Sequence, residues 1–403
     1  MKEKMDIRAI HEIDKNRLTR FLVAATVLAS MRFWGGGLAR AQSIDDLKLQ
    51  VHGYATQGFM YSTHNNWNTA ASSDGSAAWT EAVVNLTVQP ASKLRIGVQA
   101  RYFLLGTLGN QITLDWAQGD YKVNEHFGFR IGKVKTPTGL LNESQDIDPA
   151  QLWILLPQSV YPLASRNALL AHFGGVAYGQ VALGERLGKL EYRLYGGERV
   201  LAGDDGYFEA LRDAGLTLPN GTTGAIFGGT LLWNMLIHGL LVGSTESSMN
   251  ASGELDAGPL QGRVTVKRLE SPYFFAKYEH AKFMIGGEYN RLALLPAIQF
   301  SGAPTVYKPY DQRAFYAMAS YRATQRLTGG LYYSSSIDRQ AALTSARYQK
   351  NWALTARYDF NEFLYAKAEQ HLIDGTELGF DASDNANLQP TTRMTLLKLG
   401  VSF

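Results

Sequence analysis

The sequence predicts an all-β protein: a transmembrane, antiparallel, up-and-down β-barrel of about 16 strands, with a long third extracellular loop folded into its lumen. Three observations carry that expectation. Stretches of about 9 to 13 residues, long enough to cross a bilayer when tilted, alternate apolar and polar side chains. Short turns and long connections follow one another along the chain, and the chain opens on a basic, apolar leader and closes on an amphipathic strand.

The leader comes first. Arg17 and Arg20 precede an apolar stretch of 11 residues, 21–31, and a Gly-rich segment then reaches Ala39-Arg40-Ala41, a small-x-small cleavage site before Gln42. That stretch is too short to span a bilayer as a helix, which takes about 20 residues. Arg32 after the run and the long basic lead-in suit a soluble N-terminal helix as the alternative; the cleavage site favours export. Residues 1–41 are therefore expected to be a signal peptide and residues 42–403 the mature chain.

Composition narrows the class. The 403 residues include no cysteine, which excludes a disulfide framework and any thiolate metal site, and they are rich in glycine, with 40. Mean hydropathy is −0.17, which a barrel tolerates because only every second residue of a strand faces lipid. The leader holds eight Lys or Arg and four acids, so removing its +4 from the whole-chain +3 leaves the mature chain near −1. The basic pI belongs to the leader and argues for no nucleic-acid partner.

Period-two alternation defines the strands. In residues 94–104, Leu94, Ile96, Val98, Ala100, Tyr102 and Leu104 share one face, and Arg95, Gly97, Gln99, Arg101 and Phe103 share the other. A helix would mix those sets. Thr80, Ala82, Val84, Leu86 and Val88 oppose Glu81, Val83, Asn85 and Thr87 in the same way, and residues 283–289 and 352–358 repeat the pattern. Tyrosines recur where the segments end (Tyr61, Tyr102, Tyr192, Tyr289, Tyr333, Tyr358), as an aromatic girdle at lipid headgroups requires.

Seven short turns are expected at residues 90–93, 124–126, 184–188, 234–238, 279–282, 324–326 and 359–362. Eight longer polar connections are expected at 62–76, 105–110, 136–172, 198–224, 246–268, 291–311, 336–345 and 372–390. This parity gives sixteen strands, the first over residues 47–61, with both ends on the side of the short turns. A soluble propeller or sandwich would also alternate, but no blade-like repeat is present.

The last strand, residues 393–403, sets Leu397, Leu399, Val401 and Phe403 against Leu396, Lys398, Gly400 and Ser402. This ending resembles that of Gram-negative outer-membrane β-barrel proteins, where it is read as an address by the assembly machinery. The longest connection, 136–172, is unusually apolar, with Leu140, Leu141, Leu152, Trp153, Ile154, Leu155, Leu156, Val160 and Tyr161. Such content in a long insertion calls for a surface to pack on, and the lumen wall is the nearest. The run Arg130-Ile131-Gly132-Lys133-Val134-Lys135-Thr136-Pro137-Thr138-Gly139-Leu140, followed by Asn142-Glu143, resembles the strand-into-loop segment of the phosphate-selective porin O/P-like group. In architecture the mature chain resembles 16-stranded porins. The resemblance implies a passive diffusion channel, a homotrimer in outer-membrane lipid and lipopolysaccharide, with residues 137–172 as a constriction loop. It also implies that Glu143, Asp146 and Asp148 on that loop face a basic wall at the narrow point. One departure stands out: phosphate-selective members carry a lysine cluster there, whereas residues 136–172 hold no lysine and Arg166 as their one arginine.

Parity assigns the inward charges. The pore wall is expected to carry Arg95, Arg101, Arg130, Arg193, Arg322, Arg357, Lys367 and Lys398 against Glu81, Asp115, Glu191, Glu288 and Glu369. That excess of three bases predicts a slight anion preference, unless the charges pair across neighbouring strands. Lys367, Glu369 and His371 share one face, read here as a hydrogen-bonded lumen group and not as a metal site. The acidic run 381–384 lacks calcium-loop spacing and is expected to be solvated. No catalytic motif, cofactor fingerprint or metal spacing is present, so no enzyme, cofactor or metal is expected. The sequence thus predicts passage of small hydrophilic solutes, with a substrate-specific oxyanion or organic-acid channel, or an outer-membrane hydrolase, as alternatives.

Overall fold

The computed structural model describes residues 48–403 except Ala70, Thr107 and Arg186; the leader and the expected cleavage after Ala41 lie outside the described residues. The strands are β1 (Gln50–Ser62), β2 (Ser76–Ala91), β3 (Leu94–Leu105), β4 (Leu108–Lys122), β5 (Gly128–Lys135), β6 (Ala171–Ala182), β7 (Lys189–Leu201), β8 (Thr222–Asn234) and β9 (Leu240–Ala257). They continue with β10 (Leu260–Glu270), β11 (Tyr273–His280), β12 (Phe283–Leu294), β13 (Ala297–Phe300), β14 (Val306–Tyr307), β15 (Tyr310–Arg322), β16 (Leu327–Asp338), β17 (Tyr348–Asp359), β18 (Leu364–Gly375) and β19 (Thr391–Ser402).

Each strand pairs antiparallel with its neighbours, and β1 pairs with β19 from Tyr54↔Ser402 to Ser62↔Met394. Gly53 and Phe403 exchange both backbone hydrogen bonds at 3.0 Å. The sheet therefore closes and leaves no edge there, the condition for a sheet to sit in lipid. β10 and β11 both pair with β9 and share one wall position, broken at Pro272, which has no N–H for a ladder. β13 and β14 are a small flap on β10. The wall is thus a 16-strand barrel.

All seven short turns fall where the sequence places them. Two of the longer connections differ. Residues 246–268 are no loop: β9 and β10 run on as a paired hairpin past the neighbouring strands, turning at Gly258. Its Leu255 and Val264 pack with Leu218 and Ile298. Beyond the lipid both faces of a strand can be polar, so the alternation fades while the ladder continues. Residues 105–110 shrink to the link between β3 and β4, because Leu105 and Leu108 already pair.

Parity sorts the two faces correctly. On β3, Gln99, Arg101, Phe103 and Leu105 are buried, whereas Ile96 is 45% exposed. On β19, Leu397, Leu399 and Val401 stand about half exposed and Met394, Leu396 and Lys398 are buried. Trp352, Leu354, Phe227 and Leu231 extend the same outer apolar surface, which suits hydrocarbon and not water. Among the described residues no helix is long and apolar enough to cross a membrane.

Candidate functional site: the segment across the barrel

The wall opens at β5. Pro137, directly after Thr136, cannot donate to a ladder, and Gly139 turns the chain with φ +63°, where a Cβ would strike the Glu288 carboxylate. Residues 136–170 then run along the inner face of the wall and return through a short helix, Arg166–Leu170, into β6. The β4–β5 ladder ends at Ala117↔Lys133, so the upper part of β4 parts from β5 beside this segment. A cavity of about 360 Å³ lies there, lined in part by Gln111, Lys133, Asn167 and Phe173.

Two wall carboxylates hold the segment by its backbone. Glu288 on β12 accepts from the Leu140 N–H at 3.2 Å, from Tyr161 Oη at 2.6 Å and from Tyr316 Oη at 2.9 Å. Glu369 on β18 accepts from the N–H groups of Ile154 and Leu155 at 2.9 and 3.0 Å and contacts His371 Nε2 at 2.8 Å; His371 Nδ1 in turn meets Asn351. His371 is thus a buried wall residue in a hydrogen-bonded group. Among the described residues no three potential ligands are grouped to hold a metal ion.

The segment's own charges meet partners on both sides of the barrel. Glu143 pairs with Arg130 at 3.0 Å and with Arg193. Asp146 takes Lys135 at 2.7 Å, Gln99 Nε2 at 2.9 Å and Trp116 Nε1 at 3.1 Å. Asp148 takes Lys398 at 2.9 Å, Lys367 at 3.0 Å and Tyr365 Oη at 2.7 Å. Burial pushes the Asp148 pKa up, but the two ammonium groups and the hydrogen bonds from Lys398 and Tyr365 outweigh it and hold the carboxyl well below its usual range. Arg166 forks onto Asp115 at 2.9 and 2.8 Å; burial opposes its charge and Asp115 more than restores it. Arg357 donates to the carbonyls of Pro149 and Gln151.

Apolar contacts fill the remainder. Ile154 and Leu155 pack with Met60, Trp67, Trp79 and Leu396. Trp153, Val160 and Tyr161 pack with Phe275, Tyr316 and Tyr332, the Trp153 and Tyr332 rings edge to face at 5.0 Å. A cavity of about 60 Å³ remains between this segment and β1–β3, lined by Glu81, Arg101, Asp148 and Lys398 among others.

The expected site residues divide by height in the barrel. Glu143, Asp146, Asp148 and Arg166 lie on the segment, and Arg130, Arg193, Arg357, Lys367 and Lys398 reach it. Arg101 lines the cavity beside Asp148 but makes its ion pair with Glu81 on the wall, at 2.6 Å. Arg95 and Arg322 are exposed and make no ion pair among the described residues. Both sit next to the short turns, because parity assigns a face and says nothing of depth. The expected basic excess is likewise offset, since the segment's acids pair with the wall's bases. Lys135 was not expected: strict alternation points it outward, yet it turns in where β4 leaves β5.

No family model and no curated protein matches the chain. Solved structures do. OmpF of Salmonella typhi, in complex with daunomycin, is 14% identical with a TM-score of 0.56, the match covering 90% of this chain and 99% of that one. An anion-selective porin from Comamonas acidovorans is 10% identical with a TM-score of 0.51 over 88% and 99% of the two chains. In-vitro folded OmpT, an outer membrane protein of Vibrio cholerae in trimer form, is 11% identical with a TM-score of 0.53 over 88% and 99%. At such identities the likeness concerns the fold: the chain shares the closed barrel of these proteins along nearly their full lengths.

Proposed function

We propose that the mature chain is an outer-membrane porin through which small hydrophilic solutes and ions diffuse down their gradients, with residues 137–172 as its constriction loop. The observation that carries this reading is the segment tied by ion pairs and backbone hydrogen bonds to the inner wall of a closed barrel whose outer face is apolar. Nothing in that arrangement needs a reacting group. Selection would act by size and charge where Glu143, Asp146 and Asp148 meet Arg130, Arg193, Lys367 and Lys398, with Arg166 bracing the loop against Asp115.

The finer parts of the reading are a weak anion preference, a homotrimer in lipid and lipopolysaccharide, and export by a leader cut after Ala41. The anion-selective porin and the trimeric OmpT among the similar folds favour the first two; the Ala39-Arg40-Ala41 site favours the third. The phosphate-selective variant of the reading rests on the strand-into-loop motif alone. Liposomes carrying residues 42–403 test solute passage: they should swell in small sugars, faster for smaller ones. A rate equal to that of empty liposomes, with the barrel shown to be folded, contradicts the reading. Under a KCl gradient the reversal potential should favour chloride slightly, and a clear cation preference refutes that part.

A further inference from the structure

The wall is incomplete between β4 and β7. β4 is paired with β3 up to Leu105↔Leu108 but with β5 only as far as Ala117↔Lys133, so residues 108–116 have no ladder on that side among the described residues. β5 stops at Lys135 and β6 starts at Ala171, whereas β7 runs on to Leu201. The cavity of about 360 Å³ occupies this gap. Its lining includes Arg101 and Phe103 from the buried inner face of β3, and also Phe173 and Val200, which stand 47% and 45% exposed on the outer face. A space bounded by both faces crosses the wall and reaches the bilayer side as well as the lumen side. An open strand edge at membrane depth is tolerated only where it is covered or lines a cavity.

Lys133 stands at the foot of the gap. It shares the outer face of β5 with the exposed Ile131 and is the sixth residue from the short-turn end of that strand, where about 9 to 11 residues cross the hydrocarbon. A lysine on the lipid face is strongly disfavoured at that depth, and an ionisable group inside the membrane calls for a partner. The ammonium donates to the Leu114 carbonyl on the open edge of β4 and lies 5.6 Å from the centre of the Phe173 ring. It has no carboxylate at ion-pair distance among the described residues. Asp115 on β4 is forked by Arg166, and Glu198, on the outer row of Lys133 and Phe173, is two strands away. The acids that line the cavity, Asp204 and Asp205, belong to the loop beyond Leu201, and Asp205 is turned to the Tyr207 N–H.

We propose that this gap binds a single-chain carboxylate amphipath, a fatty-acid anion, with its carboxylate on Lys133 and its chain among Leu108, Phe173, Val200 and Leu201. Charge and shape choose the occupant: an ammonium without a counter-charge beside an apolar slot takes one anionic head on one apolar chain. The ammonium has three donors, so it holds the Leu114 carbonyl and the carboxylate together. The cavity lies at the small end of the range of ligand pockets, roughly 300–1,000 Å³, which suits one acyl chain and not a lipid with several. The site goes beyond the porin reading and does not depend on conduction through the lumen.

Calorimetric titration of residues 42–403, folded in phosphatidylcholine nanodiscs and corrected for empty discs, tests the site at alkaline pH. Sodium decanoate, decanol and sodium acetate are titrated into the wild type, Lys133→Met, Lys133→Arg and, as a remote exposed base, Lys267→Met. The wild type and Lys267→Met should bind decanoate saturably, and about tenfold or more tighter than decanol or acetate, as a charge-assisted contact in an apolar slot requires. Lys133→Met should bind decanoate and decanol alike, and Lys133→Arg should keep the preference for decanoate. Absence of saturable decanoate binding by the wild type overturns the site. Equal affinity of the wild type for decanoate and decanol does the same, as does a preference that survives in Lys133→Met. If Lys133→Met does not fold, the three probes compared on the wild type decide. Decanoate binding that vanishes as barrels associate, followed by light scattering, gives the gap to a second copy and also overturns the proposal.

Discussion

Asp148 faces two buried ammonium groups at 2.9 and 3.0 Å, and removing its charge leaves Lys367 and Lys398 with no ion-pair partner among the described residues. Asp148→Asn should therefore lower stability by about 3–5 kcal/mol, read from urea unfolding of the barrel in vesicles, with Asp148→Asn/Lys367→Met recovering part. An unchanged urea midpoint would show that the contact is not what anchors the loop. The pH dependence has a definite sign. The folded pKa lies below the unfolded value of about 3.9, so the contribution is present above that value and is lost as pH falls through the depressed one. Wild-type loop anchoring by Asp148 should thus be the same at pH 7 and pH 5. At this scale the sequence told faces and charges but not partners. Lys367, Lys398 and Asp148 could each be named from parity and the loop motif, whereas their meeting depends on a path of more than 200 residues between them. Lys135 escaped for a local reason: it bends in at the split between β4 and β5.

At the scale of elements, period two carried most of the information. It placed the turns and separated the lipid face of β19 from its inner face, and it lapsed where β9 and β10 rise above the lipid and no longer need an apolar side. Leu397, 49% exposed at the middle of β19, tests the assignment: Leu397→Arg should cost about 2–4 kcal/mol in vesicles, and Lys350→Arg, already charged and exposed, close to nothing. Equal costs would put β19 elsewhere. The outer loops carry a second dependence on pH, opposite in sign to that of Asp148. Burial, then the nearby Asp381 and Asp213, push the Glu209 carboxyl up to about 7; burial does the same for Glu377, also to about 7. A raised carboxyl pKa stabilises the folded loops below the unfolded value of about 4.3, and that contribution disappears as pH rises through 7. Hydrogen exchange in residues 202–221 and 376–390 should therefore be slower at pH 5 than at pH 8 after correction for the intrinsic rate. Glu209→Gln should flatten part of the difference, and a corrected difference of opposite sign would contradict the assignment.

For the whole molecule, closure unites the features that sequence and structure share. β1 pairs with β19, Phe403 pairs with Gly53, and the first strand begins and the last strand ends on the side of the seven short turns. Physical necessity makes this legible, because a sheet in lipid must close and an up-and-down sheet must return to its starting side. What the barrel contains is less legible, since the loop's apolar residues announce that it packs without saying on which strands. The central claim is that solutes pass through this barrel beside that loop. Planar-bilayer recording of residues 42–403 tests it most directly. Addition of the folded protein should produce stepwise conductance increases that grow with KCl concentration, and a folded, inserted barrel that produces no steps would contradict the claim.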